Sequence, residues 1–444
     1  MEVLGAEDAE RCQRRAGGAL ARGGLGPGDR VAFCLPSSAA LLCAVLGAAR
    51  RGVVPVVLNA TLLPAERDAL VADADPALVV EDHAGLGALL DGPDTELAPF
   101  PLVRPMHYTS GTTGRPKGVF SGILDEGAAR ALFDDEADLW EFDDTDTHLV
   151  CSPMHHSVTI RLAAGVLLRG GRVVILERFE AGAVLGALEE HAPTTVFMAP
   201  TALGRVLDAA GARSPFRSLR RLVHAGSPCP TSLKWAALAR VGPGALWEFY
   251  GSTEGQFTAC SPDEWRERPG TVGRARPGRR LEAGGDGVVW CHVPAFARFA
   301  YWQDPQATAE AWRGDAFTVG DLGRLDEGGY LFLDGRRHDL VISGGVNVYP
   351  VEVEAALAEA PGVAEIAVFG VDDDDWGQRV CAAVVGDADE GALRRHAAAR
   401  LAPYKRPKDY VFLPELPHTA TGKLRRRALA DELAPGLVRR RESR

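Results

Sequence analysis

Residues Tyr108 to Gly118 read YTSGTTGRPKG, and this stretch decides how the rest of the chain is read. Gly111, Gly114 and Gly118 let the backbone take positive φ and come close to an anion, while Thr109, Ser110, Thr112 and Thr113 bring hydroxyl donors. Lys117 adds a mobile positive charge. An isolated GTTG fragment is more often a surface turn, but the flanking hydroxyls and lysine make this a loop suited to phosphate. It is not a Walker A loop, which ends in Gly-Lys-Ser/Thr, because Pro116 precedes Lys117 and Gly118 follows it.

Other motifs follow in order: PMHH at Pro153 to His156, FMAPT at Phe197 to Thr201, YGSTE at Tyr250 to Glu254, and VGD at Val319 to Asp321. Then come GRRHDLVISGGVNVYPVEVE from Gly335 and TATGK ending at Lys423. With the opening loop, this series resembles the AMP-forming adenylating enzymes, the superfamily of acyl-CoA synthetases, peptide-synthetase adenylation domains and firefly luciferase. The resemblance runs over nearly the whole chain and is greatest to free-standing acyl-CoA ligases.

At 444 residues the chain has room for two or three domains. Its 46% hydrophobic and 25% charged content is that of an ordinary globular protein. A net charge of -11 argues against nucleic acid as a partner, since phosphate backbones need clustered Lys and Arg. Arg425 to Arg427 and Arg439 to Arg441 read as a solvated basic tail. The charged N-terminal stretch carries no export signal, and the longest apolar run, Ala39 to Ala49, is too short to span a bilayer. Eight cysteines without a CxxC pair fit a reduced, cytoplasmic setting.

Short apolar runs beginning at Val31, Val53, Leu78, His148, Val173, Thr194 and Leu219 alternate with helical periods such as Ala39 to Arg50, Ala181 to His191 and Thr201 to Ala210. Such alternation predicts an α/β fold of parallel βαβ units, with the motifs at strand ends. From Thr271 to Tyr330 the pattern turns β-rich. The expected organisation is a core over 1–334 with a β-rich subdomain at 270–334, a hinge at 335–339, and a small mobile α+β lid over 340–444.

The resemblance implies roles residue by residue. Adenylate formation drives a carboxylate onto the α-phosphate of ATP, so charge repulsion must be overcome by cations and by positioning. Glu254 matches the Mg2+-binding glutamate, with Thr109 assisting, and Thr253 matches a phosphate-contacting hydroxyl. Thr109, Ser110, Gly111, Thr112, Thr113, Lys117, Gly226, Tyr250 and Gly251 are expected around the nucleotide. Asp321 and Arg336 are expected at the ribose, although Val319 stands where the family usually has Thr. Lys423 matches the catalytic lysine, and His156 the histidine beside the acyl pocket. Gly344 and Gly345 match the loop of the pantetheine channel. At the hinge, His338 precedes Asp339 where Lys or Asp is usual, which suggests pH-sensitive switching or a passive spacer.

The expected activity is ATP- and Mg2+-dependent activation of a carboxylic acid, followed by transfer to CoA. Pocket walls are expected from His156 to Arg161, Phe197 to Pro200, His224 to Pro228 and Phe249 to Phe257. Their Gly, Ala and Phe content suits an apolar acid, aromatic or medium-chain. Two alternatives stay open: another acceptor (a carrier protein in trans, an amine or a small inorganic nucleophile), or a non-catalytic nucleotide-binding relative.

Overall fold

A computed structural model describes residues 1–109, 116–336, 339, 341–343, 346–373, 377–401, 403–418 and 424–442. Ser110, Gly111, Thr112, Thr113, His338, Gly344, Gly345 and Lys423 therefore lie outside the described residues, as does the side chain of Arg336. The chain folds into two compact units. One comprises 1–281, 290–319 and 327–331, and the other 282–289, 320–326 and 332–444.

The first unit is built on a six-stranded sheet, in spatial order Glu2–Gly5, Arg172–Ile175, Thr147–Val150, Thr195–Met198, Arg221–His224 and Leu246–Glu248. All neighbours are parallel except Glu2–Gly5, which runs antiparallel to Arg172–Ile175. Successive side chains point to opposite faces, so Val150 and Val173 pack with helices Ala6–Arg22, Ala39–Arg50 and Ser157–Leu168. Leu149 and Val174 instead pack with helices Ala181–His191, Pro200–Ala210 and Thr231–Leu238. Both faces are covered, which is why these strands read as almost unbroken apolar runs. Helix Ala39–Arg50 lies so close to Ala6–Arg22 that a Cβ on Gly47 would sit 2.5 Å from the Gln13 carbonyl oxygen.

A second, parallel sheet orders Val54–Val57, Arg30–Phe33 and Leu78–Val80. A third carries the strands flanking the YTSGTTGRPKG loop. His107–Thr109 and Lys117–Phe120 pair antiparallel, and Ala300–Tyr301 pairs antiparallel with the latter. The motif thus follows a strand end, as expected, but it joins two antiparallel strands and is not part of a parallel βαβ unit. Only seven residues separate Thr109 from Lys117, too few for a parallel crossover.

The second unit has a five-stranded sheet, with Val363–Asp373 and Gly377–Gly386 as a long antiparallel pair and Asp409–Phe412 parallel to Gly377–Gly386. Helices Pro350–Ala358 and Glu390–Arg400 cover one face through Val353, Leu357, Leu393 and Ala397. Helix Arg426–Glu442 covers the other through Leu429 and Leu437. Arg426 is not part of a solvated tail: its Nη1 lies 2.7 Å from Asp339 Oδ2 and its Nη2 2.5 Å from Glu354 Oε1. One guanidinium can satisfy two carboxylates at once, so the basic run contributes a structural tie.

At the C-terminal ends of Arg221–His224 and Leu246–Glu248 a charged cluster is buried in the first unit. Lys234, 1% exposed, lies 3.0 Å from Glu248 Oε2 and donates to His224 Nε2. Burial and then the neighbouring Lys234 hold the His224 pKa well below its ordinary value. Burial raises that of Glu248 although Lys234 opposes it. The cluster ties helix Thr231–Leu238 to two adjacent strands whose following loops carry Gly226 and Glu254. Lys234→Met leaves a buried carboxylate without its cation and should cost about 3–5 kcal/mol. Urea denaturation at pH 7 measures this, and adding Glu248→Gln should restore part of the loss.

Candidate active site

Strand Leu246–Glu248 runs into a tight reversal that holds YGSTE. Tyr250 accepts from the Phe257 amide at 2.9 Å, and Ser252 N–H donates to the Gly255 carbonyl at 2.8 Å. Glycine is required twice here. A Cβ on Gly251 would lie 2.9 Å from the Gly255 oxygen, and one on Gly255 would lie 2.9 Å from Phe317 Cζ. Phe317 is fully buried among Phe257, Phe299 and Trp312 and cannot yield. Glu254 sits within this reversal, only 5% exposed.

Tyr301 joins that reversal to the end of the phosphate-loop hairpin. Its hydroxyl donates to Glu254 Oε1 at 2.9 Å, and Lys117 Nζ stands 4.9 Å from its ring centroid. The register of the small sheet produces this, because Tyr301 pairs with Val119, two residues beyond Lys117. Among the described residues neither Lys117 nor Glu254 enters an ion pair, so both charges remain available to a ligand.

Thr109 ends the first hairpin strand, its hydroxyl 3.4 Å from the Lys117 carbonyl. Gly226 takes a φ of 95° in the turn after Arg221–His224, and the Tyr250 ring lies tilted against that of Phe257, with centroids 4.7 Å apart. His156 precedes helix Ser157–Leu168, its ring 4.4 Å from that of His155. In the second unit, buried Asp321 opens strand Asp321–Leu325 after Gly320, whose φ is 79°. Arg336 ends strand Leu331–Arg336.

Thr253, Gly255 and Gln256 face a cavity of about 130 Å³ in the first unit. Ser157, Ile160 and Arg161 line it as expected, whereas Phe197 to Pro200 and His224 to Pro228 do not. Much of the wall comes from residues that sequence reading passed over: Val103 and Arg104, helix Glu126–Trp140, and Arg276 and Arg279. Glu136 accepts from Trp140 Nε1 at 2.8 Å and lies 3.1 Å from Arg161 Nε and 3.2 Å from Arg276 Nη1. Burial pushes its pKa up, but Arg161 and Arg276 together outweigh burial and hold it below the ordinary value. Asp135 lies 3.0 Å from Arg276 and 2.9 Å from Arg279. The one available signal was the Asp-Asp-Glu run on a helix otherwise apolar on its inner face.

Residues 6–98 and 104–283 match the AMP-binding enzyme family, and residues 352–423 match the AMP-binding enzyme C-terminal domain. The chain belongs to the AMP-binding enzyme family. It is 32% identical to an indoleacetate–CoA ligase of Aromatoleum aromaticum, with 93% of this chain and 90% of that protein covered. O-succinylbenzoate coenzyme A synthetase from Bacillus subtilis, solved with ATP and magnesium ion, superposes with a TM-score of 0.83 at 26% identity, covering 95% of this chain and 94% of that one. The amide bond synthetase McbA from Marinactinospora thermotolerans gives 0.83 at 30% identity, with 96% and 94% covered. Family and relatives support ATP-dependent acyl-CoA formation through an acyl adenylate, as the order of motifs led one to expect. Among the described residues no helix is long and apolar enough to cross a membrane.

This AMP-binding enzyme also buries histidines. Burial, followed by neighbouring histidines, lowers the pKa of His107 and His155 to about 3, and burial lowers that of His148 to about 4. Unfolded, each titrates near 6.5. Between pH 6.5 and about 4 the unfolded chain therefore binds more protons, so stability present above 6.5 is lost as pH falls. Glu248 and Asp334, both shifted upward by burial, oppose this. The expected loss is about 1.4 kcal/mol per pH unit for each buried histidine. Denaturation midpoints at pH 7.5 and pH 5 should differ accordingly, and His148→Gln should flatten the dependence.

Proposed function

We propose that the chain activates a carboxylic acid with ATP to an acyl adenylate, releasing pyrophosphate, and passes the acyl group to CoA. The observation that carries this reading is the Lys117–Tyr301–Glu254 assembly beside a largely apolar cavity. Thr109, Ser110, Gly111, Thr112, Thr113 and Lys117 hold the phosphates. Gly226, Tyr250 and Gly251 bound the nucleotide, and Asp321 and Arg336 take the ribose. Lys423 supplies the ammonium for the attack of carboxylate on phosphorus, and Gly344 and Gly345 leave room for the pantetheine arm. His156 flanks the acyl pocket, and residues 335–339 act as the hinge.

Magnesium fits Glu254, because the ion favours one or two carboxylates plus substrate phosphates and Glu254 is a buried carboxylate without a protein cation of its own. Bound there with Thr109, it would neutralise charge on the phosphates. Tyr301 fixes the rotamer of the carboxylate by donating to one of its two oxygens.

The acid has an apolar body. At about 130 Å³ the cavity is close to the ~150 Å³ at which an engineered cavity takes up benzene, a size suited to an aromatic or short aliphatic group. A second reading, transfer to an amine, is favoured by the likeness to an amide bond synthetase.

Pyrophosphate release over a panel of acids, repeated with CoA or amines, tests the reading and separates the acceptors. Lys423→Ala should lower adenylate formation by about 10²-fold or more while sparing thioester formation from a supplied acyl adenylate. Glu254→Gln should lose magnesium-dependent turnover without unfolding. Equal loss of both half-reactions in Lys423→Ala, or normal turnover in Glu254→Gln, would remove that residue from its role.

A further inference from the structure

The cavity beside Glu254 carries more positive charge than its own carboxylates neutralise. Its charged lining consists of Arg104, Arg161, Arg276 and Arg279 against Asp135 and Glu136. Asp135 serves Arg276 and Arg279, and Glu136 serves Arg161 and Arg276, so two positive charges are in excess. The excess centres on Arg104. Among the described residues this guanidinium has no carboxylate partner; Nη1 lies 3.3 Å from the Glu254 carbonyl oxygen and Nη2 3.4 Å from that of Arg298. Both are long, neutral contacts. Burial, then the like charge of Arg161, brings the Arg104 pKa down to about 10, with Glu254 opposing and Arg279 adding. A guanidinium held among like charges in a protein of net charge -11 is waiting for an anion.

We propose that the acid activated by this enzyme carries a second anionic group, which Arg104 receives inside the acyl cavity. This rests on the adenylating reading above and adds the class of acid. The apolar wall, with Val103, Val119, Phe133, Ile160 and Ala164, takes the body of the acid. One carboxylate is presented near Glu254, where Thr253 and Gly255 also face the cavity, and the other pairs with Arg104. Arg161, already engaged with Glu136 and 3.3 Å from Gln256 Oε1, adds to the field without being the partner. A monoacid of the same size would leave half-buried Arg104 without a carboxylate, so the site discriminates by the charge-assisted contact that only the diacid makes.

The test compares size-matched acids, glutarate against 5-methylhexanoate and 2-carboxyphenylacetate against 2-isopropylphenylacetate, by pyrophosphate release. The wild-type enzyme should favour the diacid of a pair by roughly 10- to 100-fold in kcat/KM, the range expected for one charge-assisted contact. Arg104→Gln should bring that ratio towards one, the diacid losing far more than the monoacid, and Arg104→Lys should retain part of the preference. Thermal melting of both variants guards against misfolding, and retained preference in Arg104→Lys would not follow from damage alone. An unchanged ratio in Arg104→Gln overturns the proposal, as does a rise in KM for ATP in place of the ratio change, which would assign Arg104 to a nucleotide phosphate. Turnover of monoacids without preference for diacids overturns this inference alone, whereas silence towards every acid overturns the ligase reading with it.

Discussion

The hydrogen bond from the Tyr301 hydroxyl to Glu254 is the contact on which the site depends. It makes one unit of two loops that are more than a hundred residues apart in sequence. Its geometry follows from backbone constraints on both sides: the pairing of Ala300–Tyr301 with Lys117–Phe120, and the glycines that let the YGSTE reversal close against Phe317. A neutral phenol is well suited to this position. It orients the carboxylate and faces the Lys117 ammonium with its ring, yet consumes neither charge.

Charge placed in the interior is the second theme. Desolvation makes a buried ion costly unless opposite charges and hydrogen bonds surround it, and several clusters among the described residues meet that condition. Lys234 with Glu248 and His224 ties a helix to two strand ends, and Arg426 with Asp339 and Glu354 ties the last helix to the segment after Arg336. Asp135 and Glu136 hold three arginines around the cavity. Half-buried Arg104 departs from the pattern, since among the described residues it meets carbonyl oxygens and no carboxylate partner. Within a family that handles carboxylates and phosphates, an incomplete pairing marks a place for a ligand.

Much of this was legible in advance. Helix Ala181–His191 was read to the residue, and the apolar runs at His148, Val173, Thr194 and Leu219 all became strands of one sheet. Glu2–Gly5 was missed because four residues, two of them exposed, carry no period, and only pairing with Arg172–Ile175 makes them a strand. Arg426 was read as solvated because a basic run resembles a tail until its carboxylate partners, 87 and 72 residues away, are brought to it.

The sequence by itself determined the α/β class, the family and the chemistry of the contiguous motifs. Phosphate-binding loops and tight reversals need particular residue types at fixed short spacing, and that spacing survives in one dimension. Tertiary structure alone decided that Tyr301 bridges Lys117 and Glu254, that the signature loop closes an antiparallel hairpin, and that Arg104, Glu136, Arg161 and Arg276 share a cavity. Those relations depend on sheet register and helix packing across long separations. A one-residue change of register would turn Tyr301 to the other face while leaving every motif intact.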